Sequence, residues 1–220
     1  MVARVPRRSD TVVVGLDLAG SPRRSTGFCE LVGPRYARTA VLHGDAEILA
    51  AVRDAGPQLV SIDAPLSLPR GRASLARAGP PHLRACDREL LRRRIRFFPV
   101  RLGPMRMLTA RGIRLAGQMR AAGFRVEESY PGAAQDIVGL PRKGAGVERL
   151  RRALRARGFY GTIERRTTSH DELDAVVCAW VGRLCAHGRA DVIGDPSEGT
   201  MILPRSAAQL PKARRRRALN

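Results

Sequence analysis

A chain of 220 residues is long enough to bury one substantial core, and 44% hydrophobic against 27% charged residues is an ordinary globular balance. The 40 basic residues, all arginine except Lys143 and Lys212, stand against 20 acidic ones, and a net charge of +20 favours polyanionic partners, nucleic acid (DNA or RNA) first, although a GC-rich genome also raises arginine. Cysteines at 29, 86, 178 and 185 form no C-x-x-C pair, no apolar run reaches membrane-spanning length, and the first ten residues lack a signal-peptide stretch, which argues against a zinc module, a disulfide scaffold and a membrane partner and predicts a cytoplasmic protein.

Residues 1–10 read as a disordered basic arm, and a single domain is expected over 11–204. The apolar runs 11–18 and 26–32 read as strands joined by the turn at Ser21-Pro22, and Tyr36–Leu42 as a third, antiparallel strand. Asp45–Ala55 reads as a helix with Ile48, Leu49 and Val52 on one face and Gly56 at its end. Gln58–Ile62 is a short apolar strand stopped by Ala64-Pro65. This order predicts an α/β fold, a mixed five-stranded sheet whose first three strands are antiparallel, with helices on both faces. From 66 to 122 arginines crowd around only two acidic residues, Asp87 and Glu89, and helical periods fit 84–95 and 104–122; this is a basic, mostly helical insertion, with Phe97-Phe98-Pro99 as its hinge. Phe124–Tyr130 resumes the sheet and is ended by Pro131-Gly132. Gly146–Arg157 reads as a basic helix, Ser169–His187 as the clearest helix of the chain, and Val192–Leu203 as a final hairpin or strand around Gly199. Residues 205–220 end in KARRRRALN and read as a disordered basic tail.

Five acidic residues sit where acidic residues are costly or unexplained. Asp17 interrupts an apolar strand, and a buried charge needs a partner. Asp63 ends the strand QLVSID, where open α/β sheets bind ligands, though an Asp before Ala64-Pro65 can also simply start a turn. Glu128 shares a strand face with Val126, which is unusual unless the strand lies at an edge. Ser169 and Glu172 form an S-x-x-E capping box, which explains Glu172 and partly Asp171, but not Asp174. Asp171 and Asp174 are three residues apart and share a helix side. Carboxylates converging without a matching His or Cys set suit Mg²⁺ or Mn²⁺, and such ions can drive phosphodiester cleavage.

The order GLDLAG (15–20), SIDAP (61–65), EESYP (127–131) and SHDELDAVVCAW (169–180) resembles a domain-of-unknown-function family described as predicted nucleases with an RNase H fold. The last motif also resembles the end of RuvC-type Holliday-junction resolvases. The resemblance implies an RNase H-like fold with Asp17, Asp63, Glu128, Asp171 and Asp174 as catalytic carboxylates, of which Asp17, Asp63, Glu128 and Asp174 hold the metal. The basic insertion has no equivalent in plain RNase H. The expected activity is a metal-dependent nuclease. An actin-like nucleotide-binding ATPase, or a catalytically inactive nucleic-acid-binding module, is the competing expectation.

Overall fold

The computed structural model describes residues 11–76 and 79–206. The N-terminal arm and most of the basic tail, expected from composition, lie outside the described residues. Arg205, placed in the tail by the sequence, is tied back to the domain by hydrogen bonds to the Ala190 and Gly188 carbonyls at 3.2 and 3.1 Å.

The β-branched run Val12–Asp17 forms β1, and Thr26–Val32 and Tyr36–Leu42 form β2 and β3. The helix Asp45–Ala55 (α1) follows; Gly56 ends it in the left-handed region at φ 52°, a conformation that glycine adopts at the least steric cost. Leu59–Asp63 is β4, Ala85–Arg92 is α2 and Met105–Ala121 is α3. The two helical periods of the basic segment are therefore α2 and α3, joined and preceded by irregular chain. Val126–Ser129 is β5.

Pro131-Gly132 does more than end β5: Pro131 occupies the first turn of a helix, α4 (Pro131–Val138). A proline that ends a strand is equally suited to start a helix, because its missing N–H is not needed there and its φ is preset. Val147–Ala156 is α5, Tyr160–Gly161 is β6 and His170–Ala186 is α6. The chain closes with a hairpin, β7 (Ala190–Asp195) and β8 (Gly199–Pro204).

One sheet takes all the described strands, in the order β6-β3-β2-β1-β4-β5-β8-β7. β1, β2 and β3 are antiparallel neighbours, while β4 pairs parallel with β1 and β5 parallel with β4. These five strands make the expected mixed sheet, with its first three strands antiparallel. The sheet is wider than expected, with eight strands, because two-residue β6 extends one side and the β7–β8 hairpin covers the otherwise open edge of β5. No second α/β lobe of the actin-like kind exists among the described residues.

The strand pleat sends alternate side chains to two cores. Val13 and Leu59 face α6, where Val176, Val177 and Ala179 pack, together with Leu150 and Leu154 of α5. Val14, Leu16, Val60, Ile62 and Val126 face the other way, against Ile48 and Val52 of α1 and Leu115 and Met119 of α3. A smaller cluster joins Cys86 and Leu90 of α2 to Ala133 of α4 and to Ile193, Met201 and Leu203 of the hairpin. No helix among the described residues is long and apolar enough to cross a membrane. All four cysteines are free and buried.

Candidate active site

Asp17 and Asp63 are the last residues of β1 and β4, and the parallel register sets them directly opposite one another. Neighbouring strands run about 4.8 Å apart, so the two carboxylates leave the sheet side by side. By alternation both lie on the α6 face, with Val13, Gly15, Leu59 and Ser61. α6 brings a third carboxylate, and it comes close because the sheet offers no side chain in its way. A Cβ added at Gly15 would lie 2.1 Å from the Ala175 carbonyl oxygen, and one added at Gly27 the same distance from the Asp171 carbonyl oxygen. The first two turns of α6 therefore rest on bare backbone of β1 and β2.

The capping box holds that first turn in place. The Ser169 hydroxyl accepts from the Glu172 N–H at 3.2 Å, and the Glu172 carboxylate accepts from the Ser169 N–H at 2.7 Å. Its other oxygen accepts from the Thr39 hydroxyl of β3 at 2.8 Å, which ties the cap to the sheet. The Asp174 carboxylate is oriented at both oxygens: Gln135 of α4 donates to one at 2.6 Å, and His170 lies 3.1 Å from the other through Nδ1. The Nε2 of His170 is buried without a hydrogen-bond partner. Asp171, more exposed, pairs with Lys143 at 2.8 Å.

The electrostatics of this corner are those of crowded like charges. Burial first, then the charges of Asp174 and Asp171, push Asp17 from 3.8 up to about 7. Burial also raises Asp63 well above the usual carboxylate range, with Asp17, Asp174 and Glu128 adding to the rise. Lys143 opposes the shift at both positions. No hydrogen bond among the described residues relieves either carboxylate.

Glu128 is placed differently from the expectation. It pairs in register with Ile62 and shares its face with Val126, so the pleat turns it away from Asp17 and Asp63. The β5 residue opposite Asp63 is Ser129, whose hydroxyl accepts from Ser61 at 2.9 Å. Both Glu128 oxygens are taken by Arg84, at 2.6 and 2.8 Å, and one also accepts from the Leu66 N–H at 2.7 Å. Arg84 in turn pairs with Asp87 at 2.8 Å, and all three side chains are buried. The parts played by Arg84, Asp87 and Gln135 escaped the sequence reading. An arginine among many arginines and a glutamine in a short helix carry no local signal; only the fold brings them to the carboxylates.

Among the described residues, no three His, Cys, Asp or Glu side chains as they lie form a group that could hold a metal ion. The donor chemistry nonetheless fits a hard divalent cation. It consists of oxygens alone, and adjacent carboxylates whose ionisation is suppressed by one another gain most from a bound positive charge.

A family model described as "Protein of unknown function (DUF429)" matches residues 15–199. No curated protein matches the chain. Among solved structures, that of Thermus thermophilus RuvC is similar over 81% of this chain and 97% of that chain, at 14% identity and a TM-score of 0.42, a likeness too distant to bear on function.

Proposed function

We propose, given that this chain belongs to the DUF429 family of proteins of unknown function, that it is a metal-dependent phosphodiesterase acting on nucleic acid. One observation carries the reading: Asp17 and Asp63 stand side by side at the carboxyl ends of two parallel strands, their ionisation opposed by burial first and then by neighbouring carboxylates, Asp174 at both positions and Asp17 at Asp63. That is the arrangement that a divalent cation such as Mg²⁺ or Mn²⁺ relieves. When bound, the ion supplies Lewis acidity for hydrolysis of a phosphodiester. Asp17, Asp63 and Asp174 would hold it. Gln135 and His170 fix the Asp174 carboxylate, and Lys143 fixes Asp171 beside it. Glu128, kept by Arg84, anchors the chain that follows β4 through the Leu66 N–H. The polyanion is drawn by the net charge of +20.

The test is purified protein with single-stranded, duplex, hybrid and branched substrates, in Mg²⁺ or Mn²⁺ and in EDTA. Asp17→Asn should lower cleavage by about a hundredfold or more while nucleic-acid binding persists, since it removes a ligand of the ion and no phosphate contact. The wild-type melting temperature should also rise with the ion, by mass action worth about 2.7 kcal/mol at a hundredfold excess over Kd, and the Asp17→Asn protein should lose that response. A melt indifferent to both ions in the wild type overturns the site.

A further inference from the structure

The far end of α6 carries a second feature that the carboxylate cluster does not use. A cavity of about 410 Å³ opens there, lined by Pro34, Arg35, Trp180, Arg183, Leu184, His187 and Arg189. Its walls come from the β2–β3 turn, the last turns of α6 and the turn into β7. Arg183 donates to the Thr11 carbonyl at 3.4 Å, which places the cavity at the start of β1. Asp17 is at the other end of that strand, about 20 Å away at 3.3 Å per residue.

No lining residue is acidic, and among the described residues no carboxylate pairs with Arg35 or Arg189. Arg35 is built into place. Its Nε donates to the Arg157 carbonyl at 2.9 Å and an Nη to the Pro34 carbonyl at 3.0 Å. Its guanidinium lies 4.8 Å from the centroid of the Phe159 ring, which meets Trp180 edge-on at 6.4 Å. Burial, together with the charges of Arg183 and Arg189, lowers the Arg35 pKa, so the fold has brought guanidinium groups together at a cost. A bound anion recovers that cost. Guanidinium forks match phosphate geometry, and the Trp180 indole that lines the same cavity offers an aromatic partner for a planar base.

We infer that this pocket binds a phosphorylated nucleotide, either free or as the 5′-phosphorylated end of a strand, with its phosphate on Arg35 and Arg189 and its base against Trp180. The site stands independently of the phosphodiesterase reading.

Trp180 is the chain's only tryptophan, so its fluorescence reports this pocket alone. The full-length protein is titrated in EDTA with AMP, adenosine, inorganic phosphate, and a short oligonucleotide with and without a 5′-phosphate. AMP or the 5′-phosphorylated oligonucleotide should quench Trp180 saturably, and adenosine should bind about tenfold more weakly or worse, the worth of one charge-assisted hydrogen bond. Response to AMP but to neither oligonucleotide assigns the site to free nucleotide; preference for the 5′-phosphorylated over the 5′-hydroxyl oligonucleotide assigns it to strand ends. Arg189→Ala should weaken binding by a similar factor, Arg189→Lys should restore part of it, and Asp17→Asn should leave it unchanged. No saturable response to either phosphorylated ligand, or equal affinity in Arg189→Ala, overturns the site. Since neither metal nor cleavage is read, failure of the phosphodiesterase reading would not imitate failure here.

Discussion

Asp17 and Asp63 bind their protons more tightly in the fold than an unfolded chain would. Their ionisation is therefore work done against the native state. The sign follows directly: between the ordinary carboxylate pKa near 4 and the folded value of about 7 at Asp17, the native state holds more protons than the unfolded one. Stability in EDTA should fall as pH rises through that window. Asp17→Asn should flatten this slope and, at pH 7, stabilise the protein by on the order of 1–3 kcal/mol, read by urea denaturation. A wild type whose stability climbs from pH 4 to 7 as steeply as the variant's contradicts the crowded-charge picture. The opposite logic governs Arg84, whose guanidinium compensates two buried carboxylates. Arg84→Ala strands both Glu128 and Asp87, and should cost about 3–5 kcal/mol of stability near neutral pH in the same measurement.

At the scale of elements, the site depends on how closely α6 approaches the sheet. β1 and β2 present Gly15 and Gly27 to the first turns of the helix, so the backbones meet without intervening side chains. Gly27→Ala would force a methyl group against the Asp171 carbonyl and must lift the start of α6 or shift β2. A loss of about 1–3 kcal/mol or more is expected, together with loss of the metal-induced rise in melting temperature. If the metal response survives at full strength, the close approach does not set the geometry of the carboxylates. The hairpin plays a different part. It covers the edge of β5, and its turn clamps the chain before α2, since Glu198 accepts from the Arg70 N–H at 2.6 Å and also from the Ala85 N–H.

For the whole molecule, charge is the dominant fact. Binding to nucleic acid should weaken steeply with salt, because each phosphate contact releases condensed counterions. Residues 212–220 contribute Lys212 and Arg214–Arg217, and the segment 66–122 contributes many more arginines. Deleting 212–220 should reduce the slope of log K against log salt by up to about 4–5 units, while leaving metal-dependent cleavage of short substrates intact. An unchanged slope would put the phosphate contacts on the folded domain.

The local elements were legible in the chain because their signals are local. Periodicity and stop residues marked β1 to β5, α1 and α6, and the S-x-x-E spacing marked the cap of α6 down to its hydrogen bonds. Asp17 stood out because a carboxylate in an apolar strand is anomalous wherever it occurs. Register, pleat and long-range pairing decided the rest. Glu128 resembled Asp63 in sequence, yet one residue of register separates the two faces of a sheet, so Glu128 met Arg84 while Asp63 met Asp17. Pro131 read as a stop because the same residue that ends a strand can begin a helix, and nothing local distinguishes the two. The hairpin's place beside β5, the grip of Gln135 on Asp174 and the convergence of Arg35 with Arg189 all join residues far apart in the chain. Such contacts are fixed by packing of the whole sheet against its helices, and no window of sequence contains them.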